Sequence, residues 1–194
     1  MNTSYTIHEL RNILDVMESK NTPLVSLKEL EKQLVFVPLV NSIASLIKAK
    51  ADAYLPIGMR EQLMSELSVE GYIQEIIPSI CLGRRSGHST AVAKFVQDNP
   101  NEHVIVVVPH AMLLEDYRRQ FNIPLDRISL RNSAFEYNSN IRFVTQTDLR
   151  AKLATLPSSK KDPLIIVESD AMSQMFLKTL SPELLIKRLI VVGN

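Results

Sequence analysis

Five short apolar runs alternate with helix-like segments from residue 76 onward, and this alternation constrains the fold more than any other feature. Each run is too short for an ordinary helix, and each of the first four is followed by a segment with three- and four-residue apolar spacing. Such alternation is typical of a parallel sheet whose strands are connected by helices. The predicted strands are residues 76–82, 103–109, 141–145, 163–167 and 188–192.

The helical segments complete an α/β arrangement. Helices are predicted between the strands at residues 89–97, 111–121, 147–156 and 171–180. Before residue 75 the spacing is helical throughout, which predicts helices at residues 7–17, 26–54 and 58–68, with Pro38 as a break point in the second. We therefore divide the chain into an N-terminal helical segment, residues 1–75, and a core, residues 76–194. This boundary rests on the change of period alone.

The composition limits the classes of function. The chain has 22 Lys and Arg against 21 Asp and Glu, so it has no overall charge that would attract nucleic acid or a membrane, and such binding must be local. Its single cysteine, Cys81, lies in an apolar run and is predicted to be a buried structural thiol. The N-terminus does not resemble a signal peptide, and no apolar run has the length of a membrane span. We expect a cytoplasmic protein, in the host cytoplasm if the source is viral.

The segment LGRRSGHSTAVAKF, residues 82–95, joins the first predicted strand to a helix. Its glycines, Gly83 and Gly87, allow backbone N–H groups to curl around an anion at the start of that helix, where the helix dipole favours negative charge. The segment resembles a Walker A loop, whose usual form is G-x-x-x-x-G-K-[ST]. The resemblance implies that Ser89 coordinates magnesium and that Thr90 contacts the next phosphate or caps the helix.

The loop departs from the Walker A pattern at two places. The first glycine, Gly83, is one position late, and His88 stands where the family has a lysine. A neutral imidazole supplies one hydrogen-bond donor and no permanent charge. The nucleotide-binding loop that the resemblance implies also includes Ser86, and Arg84 and Arg85 just before it can supply the missing positive charge. A glycine-containing turn that binds nothing is the alternative interpretation.

The segment PLIIVESDAM, residues 163–172, is a run of apolar residues that ends in acids. It resembles a Walker B strand, in which one carboxylate holds the magnesium shell and a second polarises the attacking water. The resemblance implies that Glu168 holds the metal and that Asp170 acts as the base, with both as catalytic residues. Asp170 can equally cap the following helix.

Two further segments resemble helicase motifs. Residues 106–121, VVVPHAMLLEDYRRQF, are similar to the superfamily-two segment that approaches the nucleic-acid backbone, which implies contacts by Arg118 and Arg119 if they face outward. Otherwise both arginines belong to a solvated helix face. Tyr72 and Gln74 lie where helicases and terminases read the adenine ring, by stacking and hydrogen bonds. A core tyrosine and an exposed glutamine are the other interpretation.

Two weaker expectations concern the ends of the third and fifth strands. Thr145 or Thr147 occurs where helicases have a strand that ends in threonine, and either residue also makes an ordinary helix N-cap, which we favour. Asn194 follows the fifth strand, where helicase-like proteins often have a polar residue that senses the γ-phosphate.

These segments occur in the helicase order, each next to a predicted strand. Together, over residues 72–194, they resemble the nucleotide-binding half of superfamily-one and superfamily-two helicases and of phage terminase ATPases. The resemblance implies a five-stranded, mainly parallel RecA-like sheet flanked by helices, with ATP and Mg²⁺ as ligands. Two further partners are implied: DNA or RNA, and a protein partner or second copy that supplies an arginine finger. We expect no membrane partner.

Three functions stay open on this evidence. The first is an ATP-binding protein or slow ATPase in a nucleic-acid machine. The second is a catalytically degenerate P-loop fold kept as a protein- or nucleic-acid-binding module, since His88 and the Glu168–Asp170 spacing both depart from the catalytic pattern. The third is a structural partner that acts through its N-terminal amphipathic helices.

Overall fold

The computed structural model describes residues 35–81, 87–123, 134–152, 162–169 and 173–193. The chain divides into two compact units, Met1–Pro38 and Leu39–Asn194. Residues 39–75 fall within the unit that holds the sheet, and the functional division at residue 75 stays a prediction. The helix expected at residues 7–17 lies outside the described residues.

A six-stranded sheet forms the centre of the larger unit. Its strands are β1 Ser79–Cys81, β2 Val104–Val108, β3 Ala134–Glu136, β4 Ile141–Thr145, β5 Leu164–Ser169 and β6 Arg188–Gly193. Their order is β1-β6-β5-β2-β4-β3, with β3 antiparallel to β4 and every other pair parallel. The predicted α/β class is confirmed, whereas the predicted count of five strands is wrong. The added strand β3 is short, half-exposed and at the sheet edge, so it has no apolar run to reveal it.

The larger unit has helices before the sheet and helices between its strands. Those before the sheet are α1 Val37–Asp52, α2 Ile57–Glu66 and α3 Val69–Glu75; those among the strands are α4 His88–Asp98, α5 Ala111–Gln120, α6 Gln146–Lys152, α7 Ser173–Lys178 and α8 Pro182–Leu185. Helix α3, which the sequence did not predict, begins at Ser68, whose hydroxyl accepts a hydrogen bond from the Gly71 amide at 3.1 Å. Among the described helices, none has the length and apolar character needed to cross a bilayer.

Side-chain alternation along β5 places Glu168 on one particular face of the sheet. Ile165 and Val167 pack with Leu149 of α6 and Leu177 of α7 in the core on one side. Glu168 points to the other side, where its carboxylate contacts side chains of α4 and α5. These two helices therefore cover Glu168 on that face of the sheet.

The strand order places a topological switch point at the carboxyl ends of β2 and β5. These strands are parallel neighbours, but the chain continues from β2 toward β4 and from β5 toward β6, which lie on opposite sides of the pair. Ligands in open α/β sheets bind at such a switch point, because the diverging connections leave a gap above the strand ends. Glu168, near the end of β5, lies at this switch point.

A buried arginine joins helix α2 to the opposite, amino-terminal edge of the sheet. Arg60 is 2% exposed, and its Nε donates to the Leu55 carbonyl at 2.9 Å. Its remaining guanidinium nitrogens donate to the Ile186 carbonyl and to the Asp162 carboxylate, which precede β6 and β5. The guanidinium also lies 5.1 Å from the centre of the Tyr54 ring. This network fixes the helices before the sheet to the loops at its amino-terminal edge.

Replacing Arg60 tests this network. In Arg60→Ala the Asp162 carboxylate loses its partner in a half-buried place, and we expect the free energy of unfolding to fall by about 3 kcal/mol. Urea denaturation measures this loss. Arg119→Ala is the matched control, because Arg119 is exposed and makes only long contacts, and it should change stability by less than about 0.5 kcal/mol. Equal effects of the two substitutions would contradict the account.

Candidate functional site

The carboxylate of Glu168 is the centre of the candidate site. It is 1% exposed, and its two oxygens have different partners. The Ser89 hydroxyl, in the first turn of α4, donates to Oε2 at 3.2 Å. The Tyr117 hydroxyl, on α5, donates to Oε1. Three segments that are distant in sequence therefore meet at one acid.

Gly87 sets the start of helix α4 and so the position of Ser89. It is the N-cap residue, with φ 76° and ψ 23°, a left-handed conformation that a residue with a Cβ adopts only with strain. Its carbonyl accepts the first helical hydrogen bond, from the Ala91 amide at 2.9 Å. Because glycine has no side chain, it cannot cap the first-turn N–H groups itself. These amides, together with the helix dipole, can bind an anion.

His88 contributes a neutral imidazole to the start of α4. It is half-buried, and its Nδ1 is enclosed without a hydrogen-bond partner among the described residues. Burial lowers the pKa of His88 below its ordinary value of 6.5, because the charged form loses its hydration. At neutral pH the position therefore has hydrogen-bonding capacity but no positive charge.

Burial also controls the charge of Glu168. Burial raises the pKa of Glu168 to about 7, although the hydrogen bonds from Tyr117 and Ser89 act in the opposite direction. The pKa of Tyr117 is raised well above 10, first by its own burial and then by the charge of Glu168, so the phenol stays protonated and remains a donor. Glu168 thus changes charge near neutral pH, and a nearby cation would favour its charged form.

The other residues predicted around the loop are in different situations. Thr90 is exposed in the first turn of α4, beside Ser89. The remaining members of the predicted site, Gly83, Arg84, Arg85, Ser86 and Asp170, lie outside the described residues, as does Asn194. The structure therefore brings together Gly87, His88, Ser89 and Glu168.

The proposed stacking of Tyr72 on an adenine ring is wrong. Tyr72 lies on α3 and is fully buried in the core that includes Leu185 and Leu189, as the alternative interpretation expected. Gln74, two positions further along the same helix, is exposed. The difference follows from helical geometry, since residues two apart point in different directions. A role for Gln74 in nucleotide binding stays a prediction.

The expectation that both Arg118 and Arg119 face outward is wrong for Arg118. Its guanidinium is buried, donates to the Ala134 carbonyl at 3.4 Å and lies 5.1 Å from the Phe135 ring centre. Arg118 therefore packs α5 against the unpredicted strand β3, by a planar cation over an aromatic face. Arg119 is exposed and lies 3.6 Å from Asp116.

Two smaller predictions have opposite outcomes. Cys81 is exposed, so its interpretation as a buried thiol is wrong; β1 is an edge strand, and Cys81 alternates with the buried Ile80. The N-cap role of Thr145 is confirmed, since its hydroxyl accepts from the Asp148 amide at 3.3 Å.

Sequence reasoning missed Tyr117, although a signal for it existed. Tyr117 lies three residues after Leu114 and four before Phe121, on the apolar stripe of α5 that faces the sheet. A tyrosine in such a stripe buries its ring and needs a hydrogen-bond partner for its hydroxyl. An acid at the tip of a buried strand also needs partners. One hydrogen bond between Tyr117 and Glu168 satisfies both requirements, but only the fold shows that these two residues meet.

The comparisons with known proteins found no matching family model, no matching curated protein and no matching solved structure. Among the described residues, no group of three or more His, Cys, Asp or Glu side chains can hold a metal ion. A cation beside Ser89 and Glu168 would need further oxygens from a bound nucleotide and water, as magnesium does in nucleotide sites.

The buried acid predicts a pH-dependent stability. Because the folded-state pKa of Glu168 is raised from 4.5 to about 7, its stabilising contribution is complete below about pH 4.5 and is lost as the pH rises through 7. This shift corresponds to at most about 3 kcal/mol. Glu168→Gln has no charge, accepts from Tyr117 and donates to Ser89, so it should lack this loss.

Urea denaturation at pH 5 and pH 8, without divalent metal, measures the effect. We expect Glu168→Gln to gain stability relative to the original protein as the pH rises from 5 to 8. Parallel pH profiles of the two proteins would show that Glu168 does not titrate as its burial requires.

Proposed function

We propose that the protein binds ATP with magnesium at the carboxyl edge of the sheet, between residues 83–90 and Glu168. In this proposal it is an ATP-binding protein or slow ATPase that works in a nucleic-acid machine of the helicase or terminase kind. The hydrogen bond from Ser89 to Glu168 carries the proposal. The Walker A-like and Walker B-like resemblances named these two residues on separate segments, and the fold brings them within 3.2 Å.

The chemistry of this pair suits a hard cation. Ser89 offers a hydroxyl oxygen and Glu168 a carboxylate oxygen, the ligand types that magnesium takes alongside phosphate oxygens and water. When bound, magnesium supplies positive charge to a polyphosphate. It would also hold Glu168 in its charged form, because an adjacent cation lowers the pKa of a carboxyl group. The residues present therefore fit a magnesium–nucleotide complex.

The start of α4 suits the phosphate groups. Gly87 turns the chain into the helix, and the first-turn amides and the helix dipole favour an anion there. His88 adds hydrogen-bonding capacity but is uncharged before the nucleotide binds, so the initial attraction to the phosphates depends on amides and metal more than in a loop with lysine. We expect moderate affinity and slow turnover for this reason.

A second candidate function is nucleotide-independent binding of protein or nucleic acid by a degenerate P-loop fold. The neutral state of His88 favours it, because the position where the family has lysine lacks a permanent charge. This candidate predicts neither turnover nor a nucleotide-dependent change in stability.

Binding of magnesium-ATP separates the two candidates. With a dissociation constant near 0.1 mM, ATP at 1 mM would add about 1.4 kcal/mol of stability, which thermal unfolding and calorimetry both detect. Ser89→Ala should lose most of this gain, because it removes a metal ligand. Ser65→Ala, which removes an exposed hydroxyl on α2, is the control and should keep it. Absence of heat and of thermal stabilisation at millimolar magnesium-ATP would end the first proposal.

Restoring the lysine tests whether the start of α4 holds phosphate. His88→Lys should tighten magnesium-ATP binding about tenfold, which corresponds to about 1.4 kcal/mol, because an ammonium group pairs with phosphate oxygens. His103→Lys adds the same charge just before β2, at the opposite edge of the sheet, and should leave the affinity unchanged. If the two variants bind alike, no phosphate lies at His88, and the second candidate is favoured.

A further inference from the structure

Tyr117 bonds to one oxygen of Glu168, and the other oxygen faces the start of α4. Its hydroxyl donates to Oε1, while Oε2 faces Ser89 at the start of α4. Tyr117 and Glu168 are both almost completely excluded from solvent. The carboxylate therefore bonds to α5 through Oε1 and to α4 through Oε2.

We propose that Tyr117 is a positioning residue for the metal–nucleotide site: its hydroxyl holds Oε1 of Glu168 so that Oε2 alone is offered beside Ser89. This inference rests on the proposed function and specifies how that site is prepared. It assigns a role to a residue that neither Walker-like segment contains.

The length of the glutamate side chain gives this restraint its purpose. Glutamate has one more rotatable bond than aspartate, so more conformational entropy is lost when its side chain is ordered. A carboxylate can bind a cation through one oxygen or through both. With Oε1 bonded to Tyr117, Oε2 is the oxygen that faces Ser89, and its position is fixed before any ligand arrives. Preorganisation of this kind strengthens binding, since the ordering is already complete.

Aromatic packing fixes the direction of the Tyr117 hydroxyl. The ring lies 4.7 Å from that of Phe143 on β4 and 6.2 Å from that of Phe121, measured between ring centres. Phe121 and Phe143 are in turn 5.4 Å apart. A ring held on two sides by aromatic neighbours has little freedom to turn its hydroxyl away from Glu168.

A purely structural role makes a different prediction. If Tyr117 only satisfies a buried acid, its hydroxyl affects the stability of the unliganded protein and leaves the magnesium dependence of nucleotide binding unchanged. If Tyr117 positions Oε2, removal of the hydroxyl weakens the response to magnesium, while ATP binding without metal changes little. The dependence on magnesium is therefore the informative quantity.

Tyr117→Phe in the full chain tests the inference, because it removes only the hydroxyl. We expect ATP affinity in EDTA to stay within about twofold and the apparent magnesium affinity at saturating ATP to fall about tenfold, both measured by calorimetry. Tyr137→Phe is the matched control, since Tyr137 packs against Phe121 in the same aromatic cluster. It should leave both affinities unchanged.

Two more variants keep the test decisive. In a Glu168→Gln background, Tyr117→Phe should produce no further loss of magnesium affinity, because the glutamine places its NH2 group beside Ser89 and leaves no metal-binding oxygen there for Tyr117 to position. Glu168→Asp withdraws the carboxylate from the Tyr117 hydroxyl, and we expect its magnesium affinity to fall about tenfold as well. Should Glu168→Asp bind magnesium as tightly as the original protein, positioning by Tyr117 is unnecessary and the inference is overturned.

The outcomes distinguish this inference from the function on which it rests. Unchanged magnesium affinity in folded Tyr117→Phe would overturn the positioning role and leave magnesium-ATP binding standing. Failure of the original protein to bind magnesium-ATP would overturn the proposed function, and the positioning role with it. A tenfold loss in Tyr117→Phe, together with no loss in Tyr137→Phe, would support both.

Discussion

The burial of a carboxylate at the end of a central strand is the constraint on which the site depends. A charged acid closed off from water is unstable unless it is neutralised or receives hydrogen bonds, and Glu168 receives one at each oxygen. The two donors come from α4 and α5, which follow β1 and β2, so the contact joins helices to a strand that the chain reaches much later. A cation beside Glu168 would compensate the negative charge of the buried carboxylate.

The two edges of the sheet have different tasks. At the amino-terminal edge, Arg60 is enclosed by carbonyl groups and by Asp162, and it holds the preceding helices to the sheet. At the carboxyl-terminal edge, the strand connections diverge, and Gly87, Ser89 and Glu168 meet around the start of a helix. The Arg60 network and the contacts of Glu168 thus lie at opposite ends of the strands.

The sequence predicted the parts of the fold that have continuous apolar runs. Strands β2, β4, β5 and β6 were predicted within two residues of their bounds, because buried parallel strands are apolar on both faces. Strand β1 was predicted too early, since Ile76 is the C-cap of α3 and Ile77, which follows it, joins the core rather than the sheet. Strand β3 was missed, because a short edge strand has neither a long run nor regular alternation.

The site was predictable only where position along a strand or helix decides it. Ser89 and Glu168 were named by two Walker-like segments, and they meet because parallel strands bring their carboxyl ends to one edge of the sheet. The contacts of Tyr117 and Arg118 could not be predicted from the sequence. Their neighbours, Glu168 and Phe135, are set by how α5 packs on the sheet. Local pattern shows that a side chain is buried, and only the fold shows what it meets.

A crystal structure with magnesium and a non-hydrolysable ATP analogue tests the central claim most directly. The account predicts phosphate oxygens at the backbone amides that follow Gly87, with a metal shared by the Ser89 hydroxyl and Oε2 of Glu168, while Tyr117 stays on Oε1. Nucleotide bound elsewhere, or a direct Ser89–Glu168 hydrogen bond that persists with side chains filling the space above Gly87, would contradict it.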